Sequence, residues 1–412
     1  MARHSGELAR KWREVSNSKK TPPEYDQNNS LLTLPRTILN AFTGQKVEGV
    51  NKQLLELVQE ASRVLLLIVD SLGLNLVVKG GLSSLIKDSS YSTYLTSTVP
   101  STTATAIASL ATGEPPLLHL SLGYKMYLKE VGAIIKPLKF SPVIGGPHES
   151  LREAGVSISL NPCKTVFERL STSGIKCYYV GPQSIGDTTY TRSFTKGATF
   201  IESISLEDTL TLALKALKKS NETLVYAYWD KLDKLSHEYG PFSKPVEYLL
   251  TGFEKVLTEL LRDLRQVKNS VLIVTSDHGQ ISLRGGKRIF LTEVLGFLEN
   301  LYMPPYGESR FLYLHVKKEK KFLEIFKTYL EPFAELYRIS DILHLFAPEK
   351  KRTPENVETF LDHAGTHALI PRENNVLIYP YAKRDLEFDL KGHHGGLSPH
   401  EMLIPLIIFV NQ

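Results

Sequence analysis

Apolar runs alternate along most of the chain with segments of helical periodicity. Five continuous apolar runs predict strands at residues 64–69, 177–181, 224–228, 271–275 and 403–410. Between them, apolar residues recur at helical spacing in residues 164–173, 206–219 and 246–266. Strands that are apolar throughout and separated by helices are typical of a mainly parallel sheet with helices on both faces. The pattern therefore predicts an α/β fold whose ligand site lies at the carboxyl ends of the strands.

The length of 412 residues, with 42% hydrophobic and 23% charged residues, suits a globular α/β protein with room for an insertion. We predict a polar N-terminal segment at 1–55. The α/β core is predicted to comprise 56–281 and 390–412, and 282–389 to form a smaller cap insertion. Within that insertion, residues 291–301 have the periodicity of a helix and 374–383 contain an edge strand. Asp362, His363 and His367 are interpreted there as structural or surface residues.

Charge and cysteine content restrict the partners and the compartment. The first thirty residues contain no apolar run typical of a signal peptide, and no later run reaches the ~18 apolar residues of a membrane span. We therefore expect a cytoplasmic protein without a membrane partner. The net charge of +5 is spread over the chain, which makes a nucleic-acid partner a weak hypothesis. Cys163 and Cys177 are not expected to form a disulfide, and the oligomeric state is left open.

Carboxylates and imidazoles cluster where the predicted strands end or, in the last case, begin. They are Asp70, Asp233, His237, Asp277, His278, His393 and His394. Aspartate and histidine are ligands that zinc accepts, and residues four apart share a face if 233–237 is helical. The set exceeds the needs of one metal. Two metals about 4 Å apart are used to stabilise the attacking and leaving oxygens in phosphoryl displacement.

Each of these groups also has an ordinary alternative. Asp70 could cap a helix, and Asp277-His278-Gly279 could form a turn. Asp233 and His237 could be a helical ion pair. The histidines at 393–394 could lie in an exposed loop. The metal hypothesis accounts for all four groups together, so we adopt it.

The segment at 99–113, VPSTTATAIASLATG, is rich in hydroxyl groups. It predicts a helix that starts near Ser101, Thr102 and Thr103 and ends at Gly113. A hydroxyl in the first turn of this helix would lie where backbone N–H groups and the helix dipole favour an anion. A threonine hydroxyl could act there as a nucleophile with the help of a metal.

Taken in order, these motifs resemble the alkaline phosphatase superfamily, and within it the type I phosphodiesterase/nucleotide pyrophosphatase branch. The resemblance covers residues 60–281 and 390–411 and implies an alkaline phosphatase-like fold. In that family the nucleophile precedes the glycine of a Thr-Gly pair by ten positions. Counting back from Gly113 gives Thr103, with Thr102 as the alternative.

The resemblance also implies two divalent metal ions, Zn²⁺ or alternatively Mn²⁺. One would be held by Asp233, His237 and His394. The ligands implied for the other metal are Asp70, Asp277, His278 and the Thr103 oxygen. His393 is left as a neighbour of the first metal.

The implied reaction is hydrolysis of a phosphoric ester through a phospho-threonine intermediate, with an alkaline-leaning pH profile. A phosphodiesterase or nucleotide pyrophosphatase is favoured because YAYWD lacks the Glu expected for the third metal of alkaline phosphatases. The expected substrate is a small phosphate ester, with nucleotides among the candidates. Tyr124 and Lys125 are candidate substrate contacts. The alternatives are an alkaline phosphatase-like monoesterase and a non-catalytic binding protein of the same fold.

Overall fold

The computed structural model describes residues 2–79 and 82–411. The strands are β1 (Arg63–Val69), β2 (Tyr91–Thr96), β3 (Met126–Leu128), β4 (Ala133–Lys136), β5 (Ser141–Pro142), β6 (Lys176–Pro182), β7 (Thr199–Ser203), β8 (Thr223–Trp229), β9 (Ser270–Thr275), β10 (Ile281–Ser282), β11 (Arg288–Phe290), β12 (Tyr306–Glu308), β13 (Phe311–Leu314), β14 (Ala334–Arg338), β15 (His367–Pro371), β16 (Val376–Ile378), β17 (Gly392–His393) and β18 (Leu403–Asn411). The helices are α1 (Ala2–Val15), α2 (Thr33–Thr43), α3 (Lys52–Val58), α4 (Leu74–Lys79), α5 (Ser83–Asp88), α6 (Thr103–Thr112), α7 (Pro116–His119), α8 (Ser150–Glu153), α9 (Val166–Thr172), α10 (Thr189–Phe194), α11 (Leu206–Leu217), α12 (Lys231–Tyr239), α13 (Lys244–Leu264), α14 (Glu319–Ile325), α15 (Pro354–Ala364) and α16 (Pro399–Met402).

A seven-stranded sheet in the order β2-β18-β9-β1-β8-β6-β7 forms the centre of the fold. The five strands from β9 to β7 are parallel, whereas β18 pairs antiparallel with both β2 and β9. All five predicted strands belong to this sheet. The predicted α/β class with a mainly parallel sheet is therefore confirmed.

The central strand β1 explains why the predicted strands are apolar throughout. Val64, Leu66 and Ile68 face one buried cluster, together with residues of α2, α6 and α9. The alternate residues of β1 face a second cluster that includes residues of α4, α11 and α13. Since side chains alternate between the faces of a strand, helices on both sides require apolar residues at every position.

The N-terminal helices pack on this sheet. In α1, Leu8 and Trp12 are buried in the second cluster, and in α2, Leu34 and Ile38 are buried in the first. The predicted segment 1–55 therefore contributes buried side chains to both faces, although its overall composition is polar. The predicted division into three segments stays a prediction. None of the described helices combines the length and the apolar character needed to cross a membrane.

The segment 282–389, predicted to be an insertion and called the insertion below, contains a four-stranded sheet in the order β12-β13-β15-β14. The edge strand predicted within 374–383 is present as β16, which pairs with β11. The helix predicted at 291–301 is wrong, because the structure has two short 3₁₀ turns there, Leu291–Glu293 and Leu298–Asn300. Gly296 lies between them with φ +75°, a left-handed conformation that interrupts an α-helix.

A buried ion pair joins the insertion to the core. Arg310 donates from Nε and Nη2 to the two carboxylate oxygens of Glu401, each at 2.9 Å, and both side chains are almost completely buried. Glu401 also accepts hydrogen bonds from the backbone N–H groups of Gly396 and Ser398. Burial by itself would raise the pKa of Glu401, but Arg310 and these hydrogen bonds hold the pKa below its usual value. The pair therefore fixes the loop that follows His394.

Arg310→Met is expected to lower the free energy of unfolding by about 3–5 kcal/mol, since it leaves the Glu401 carboxylate buried without its cation. Urea denaturation of the variant and the wild type measures this difference. Arg265→Met, at an exposed position on the core, should change the value by less than about 0.5 kcal/mol. Equal stability of Arg310→Met and wild type would contradict this role of the ion pair.

Candidate active site

The carboxyl ends of β1, β8 and β9 bring most of the predicted metal ligands together. Asp70 directly follows β1, and Asp277 and His278 follow β9 by one short turn. Asp233 and His237 lie on α12, which follows β8, one helical turn apart on the same face. The strands are parallel and adjacent, so their ends meet at one edge of the sheet, where ligand sites of such sheets form.

Two groups of these side chains are close enough to hold a metal ion. Within the described residues they are Asp233 with His237 and His394, and Asp70 with Asp233 and His278; in each group the ligand atoms lie within 4.8 Å of one another. The first group matches the set implied for one metal. The second group contains Asp233 in place of Asp277, which the resemblance implies. Asp233 therefore belongs to both groups and lies between the two candidate metal positions.

Asp277 remains close to the second group. Its Oδ2 lies 3.4 Å from His278 Nε2, and Asp70 Oδ1 lies 3.6 Å from the same nitrogen. The other oxygen of Asp277, Oδ1, accepts hydrogen bonds from the backbone N–H groups of Ser71 and His278. These bonds orient Asp277 so that Oδ2 faces Asp70 and His278.

Buried oxygens without partners fit a bound cation. Asp70 Oδ1 and Asp277 Oδ2 are buried, and neither has a hydrogen-bond partner among the described residues. Burial, together with the charges of Asp277 and Asp233, raises the pKa of Asp70 well above its usual value. Unpaired carboxylates of this kind are costly unless a cation compensates them. The donor set of carboxylate oxygens and imidazole nitrogens fits divalent zinc.

The histidines fit the same chemistry. His394 is buried, and this burial and the neighbouring histidines His278, His237 and His393 hold its pKa well below the usual value. His394 is therefore neutral, the form of imidazole that binds metals. Its ring stacks on that of His278 with centroids 3.9 Å apart. Burial lowers the pKa of His393 to about 3, and Nδ1 of its ring lies 2.9 Å from the backbone oxygen of His394.

The two candidate nucleophiles have different surroundings. Thr103 is the first residue of α6, and its Oγ1 lies 3.2 Å from His278 Nε2. Thr102 precedes the helix, and its Oγ1 donates to Glu308 Oε1 at 2.8 Å. The helix ends at Gly113, as predicted. Of the two hydroxyls, only that of Thr103 contacts a candidate metal ligand.

A cleft of about 650 Å³ opens beside these residues. Thr103, Tyr124 and Lys125 line it, together with Glu308 and Tyr379 from the insertion. Burial lowers the pKa of Lys125, against the opposing effects of Asp385 and Glu308. The Lys125 ammonium lies 5.1 Å from the centroid of the Tyr381 ring. Both predicted substrate contacts therefore face the cleft.

Several residues that contact the site were not identified from the sequence. Tyr228, inside β8, donates a hydrogen bond to Asp70 Oδ2. Gln280 donates from Nε2 to Asp233 Oδ1 at 2.6 Å. Its position directly after Asp277-His278-Gly279 is a sequence signal that could have identified it. Glu308 belongs to the insertion and lies 206 positions along the chain from Thr102, its hydrogen-bond partner. Local sequence gives no signal for such a contact.

The histidines of the insertion lie apart from the candidate metal groups. His363 lies in the last turn of α15, and its Nε2 lies 3.7 Å from Glu130 Oε1. His367 starts β15 and its Nε2 lies 3.4 Å from Glu319. Neither these histidines nor Asp362 belongs to a candidate metal group among the described residues.

Comparison with known proteins gives one family and one fold. The family model described as type I phosphodiesterase / nucleotide pyrophosphatase matches residues 64–396. The structure of murine ectonucleotide pyrophosphatase/phosphodiesterase 5 is 18% identical with a TM-score of 0.63, over 84% of this chain and 87% of that chain. Its inactive variant in complex with AMP, also 18% identical, has a TM-score of 0.62 with the same coverage. The human protein is 17% identical, again with a TM-score of 0.63 over 84% and 87%. No curated protein sequence matches the chain.

Proposed function

The chain belongs to the type I phosphodiesterase/nucleotide pyrophosphatase family of the alkaline phosphatase superfamily, and on that premise we propose that it cleaves phosphodiesters or nucleotide pyrophosphates with Thr103 as the nucleophile. The family and the fold make it a phosphoric ester hydrolase. The observation that carries the proposal is the position of Thr103 Oγ1 at the first turn of α6, 3.2 Å from His278 Nε2.

Two divalent cations fit the unpaired carboxylates of the site, and we propose zinc. One would be held by Asp233, His237 and His394, and the other by Asp70, Asp277 and His278, with Asp233 near both. Bound there, they would supply charge stabilisation to the attacking and leaving oxygens. Tyr228 and Gln280 orient Asp70 and Asp233 through hydrogen bonds, a role on which metal affinity depends.

In the proposed reaction, Thr103 Oγ releases its proton to solvent and forms a bond to phosphorus, while the bond to the leaving oxygen breaks. Water then cleaves the Thr–O–P bond and restores the hydroxyl. The backbone N–H groups of the first turn of α6 would stabilise the negative charge of the phosphoryl oxygens. Tyr124 and Lys125 line the cleft and are the proposed substrate contacts. The insertion, which supplies Glu308 and Tyr379 to the lining, is proposed to act as a cap.

A nucleotide is the proposed substrate. The family name includes nucleotide pyrophosphatases, and a neighbour of the same fold binds AMP. The tyrosines at 124 and 379 offer aromatic faces to a base within the cleft. The cytoplasmic location stays a prediction from the sequence.

Three substrates test the proposal. Purified protein is assayed with bis(p-nitrophenyl) phosphate, p-nitrophenyl phosphate and a nucleoside 5′-(p-nitrophenyl phosphate), each with zinc, manganese or a chelator. We expect both diesters to be hydrolysed in the presence of metal, with the nucleoside diester preferred. A preference for the monoester would instead favour an alkaline phosphatase-like activity. Bound metal without turnover of any ester would favour the binding-protein alternative.

A further inference from the structure

Glu308 brings a carboxylate from the insertion into the cleft that Thr103 also lines. It ends β12 and is 5% exposed. Its Oε1 accepts hydrogen bonds from Thr102 Oγ1 at 2.8 Å and from the backbone N–H of Tyr124 at 2.7 Å. No hydrogen bond to Oε2 is found within residues 2–79 and 82–411, and the side chain lines the cleft. Glu308 therefore presents one free carboxylate oxygen to a bound substrate.

The position of this carboxylate is fixed from several sides. Besides the two hydrogen bonds, the loop that carries His394 packs on its side chain. A Cβ built on Gly395 would lie 2.7 Å from Glu308 Cβ, and Gly395 has φ +113°, so a residue with a side chain does not fit there. The carboxylate is held in place before substrate binds.

The charge of Glu308 is not neutralised by an ion pair. In the described part of the chain Glu308 has no ion-pair partner, and the charges of Lys125 and His278 act on it only at longer range. The ammonium group of Lys125 lies over the Tyr381 ring. Burial raises the pKa of Glu308 above its usual value, and the hydrogen bonds from Thr102 and Tyr124 and the charges of Lys125 and His278 offset only part of this rise.

We propose that Glu308 is a specificity-determining residue that selects against phosphate monoesters, an inference that rests on the proposed phosphodiesterase function. With a second pKa of about 6, a monoester carries nearly two negative charges at alkaline pH. A diester carries one, because an ester oxygen replaces a charged oxygen. The additional charge of the monoester is repelled by Glu308, and a partly buried cleft strengthens this repulsion relative to water.

An isosteric pair of substrates separates charge from size. p-Nitrophenyl phosphate and p-nitrophenyl methylphosphonate share a leaving group and nearly the same shape, but a methyl group replaces one charged oxygen in the second. Glu308→Gln removes the charge and keeps an oxygen acceptor for Thr102 and Tyr124. We expect the ratio of kcat/KM for the phosphate to kcat/KM for the methylphosphonate to rise about tenfold in this variant, or 1.4 kcal/mol. Comparing this ratio between variant and wild type cancels the intrinsic reactivities.

Two further variants serve as controls. Glu308→Asp keeps the negative charge and should leave the ratio close to the wild-type value. Glu324→Gln, at an exposed position of α14, should change neither substrate. If Glu308→Gln lowers kcat/KM equally for both substrates, the residue is structural and the proposal is overturned.

Binding measurements cover the remaining outcomes. Calorimetry measures the affinity of each protein for inorganic phosphate and for methyl methylphosphonate. The ratio of the first affinity to the second should be lower in wild type than in Glu308→Gln. If Glu308→Gln does not fold, wild type and Glu308→Asp should both have a higher KM for the dianionic phosphate than for the monoanionic methylphosphonate. Equal binding of the two anions by wild type overturns the proposal. Binding without turnover of any ester would reject the proposed function but leave the role of Glu308 measurable.

Discussion

Thr103→Ala should lower kcat for phosphodiesters by at least about 10³-fold, because the oxygen that bonds to phosphorus is removed. The free energy of unfolding should change little, since the side chain is half-buried at the start of α6 and its hydroxyl has His278 as its hydrogen-bond partner. Thr103→Ser keeps a hydroxyl at the same place and should retain part of the activity. Steady-state rates on bis(p-nitrophenyl) phosphate measure all three proteins.

Thr102 provides the matched control for this nucleophile. Thr102→Ser keeps the hydrogen bond to Glu308 and should remain active. Acid quenching of wild type during turnover of the diester, followed by peptide mass spectrometry, should place on Thr103 a phosphoryl group that still carries the remaining ester substituent. A phosphoryl group on Thr102, or full activity of Thr103→Ala, would show that the nucleophile is assigned to the wrong residue.

Metal removal should reduce both activity and stability. A ligand that binds only the folded state at a thousandfold excess over its Kd stabilises it by about 4 kcal/mol. Zinc added to chelator-treated protein is therefore expected to raise Tm by several degrees, and activity should return with about two equivalents of bound metal. Thermal denaturation and elemental analysis of the same samples measure both effects.

Asp70→Asn distinguishes a bound cation from a general effect of zinc. In metal-free protein this variant should be at least as stable as wild type, because the buried Asp70 carboxylate lies beside the charges of Asp277 and Asp233. The zinc-dependent rise in Tm should then be much smaller than in wild type. Asp362→Asn, an exposed carboxylate paired with Lys129, should respond to zinc as wild type does. Equal stabilisation of Asp70→Asn and wild type would contradict the proposed ligand.

Sequence alone predicted the sheet and the family because the relevant signals are local. Every β1 residue from Val64 to Val69 is apolar, and parallel strands buried on both faces require that pattern. The strand ends could then be placed at one edge of the sheet without knowing side-chain positions. The wrong helix prediction at 291–301 also has a local cause. The apolar residues recur there at helical spacing, but this spacing carries no information about the positive φ of Gly296.

Contacts between distant segments could not be predicted in this way. Glu308 lies in the short strand β12, and its approach to Thr102 depends on how the sheet of β12, β13, β15 and β14 docks on the central sheet. Similarly, the position of Asp233 between the two candidate metal groups depends on where α12 begins relative to β8 and β9. The positions of Glu308 and Asp233 are set by tertiary packing, and neither residue spacing nor composition predicts that packing.

The hairpin formed by β12 and β13 affects how this enzyme can be engineered or can diverge. Glu308 and Arg310 stand two positions apart, yet one faces the substrate cleft and the other holds the loop of His394 through Glu401. Exchanging the segment that carries this hairpin, or deleting it to obtain a smaller protein, is therefore expected to disturb both the proposed choice of ester and the candidate metal site. Point changes within the hairpin are the better route to new specificities, because they can alter one of these two contacts and leave the other in place.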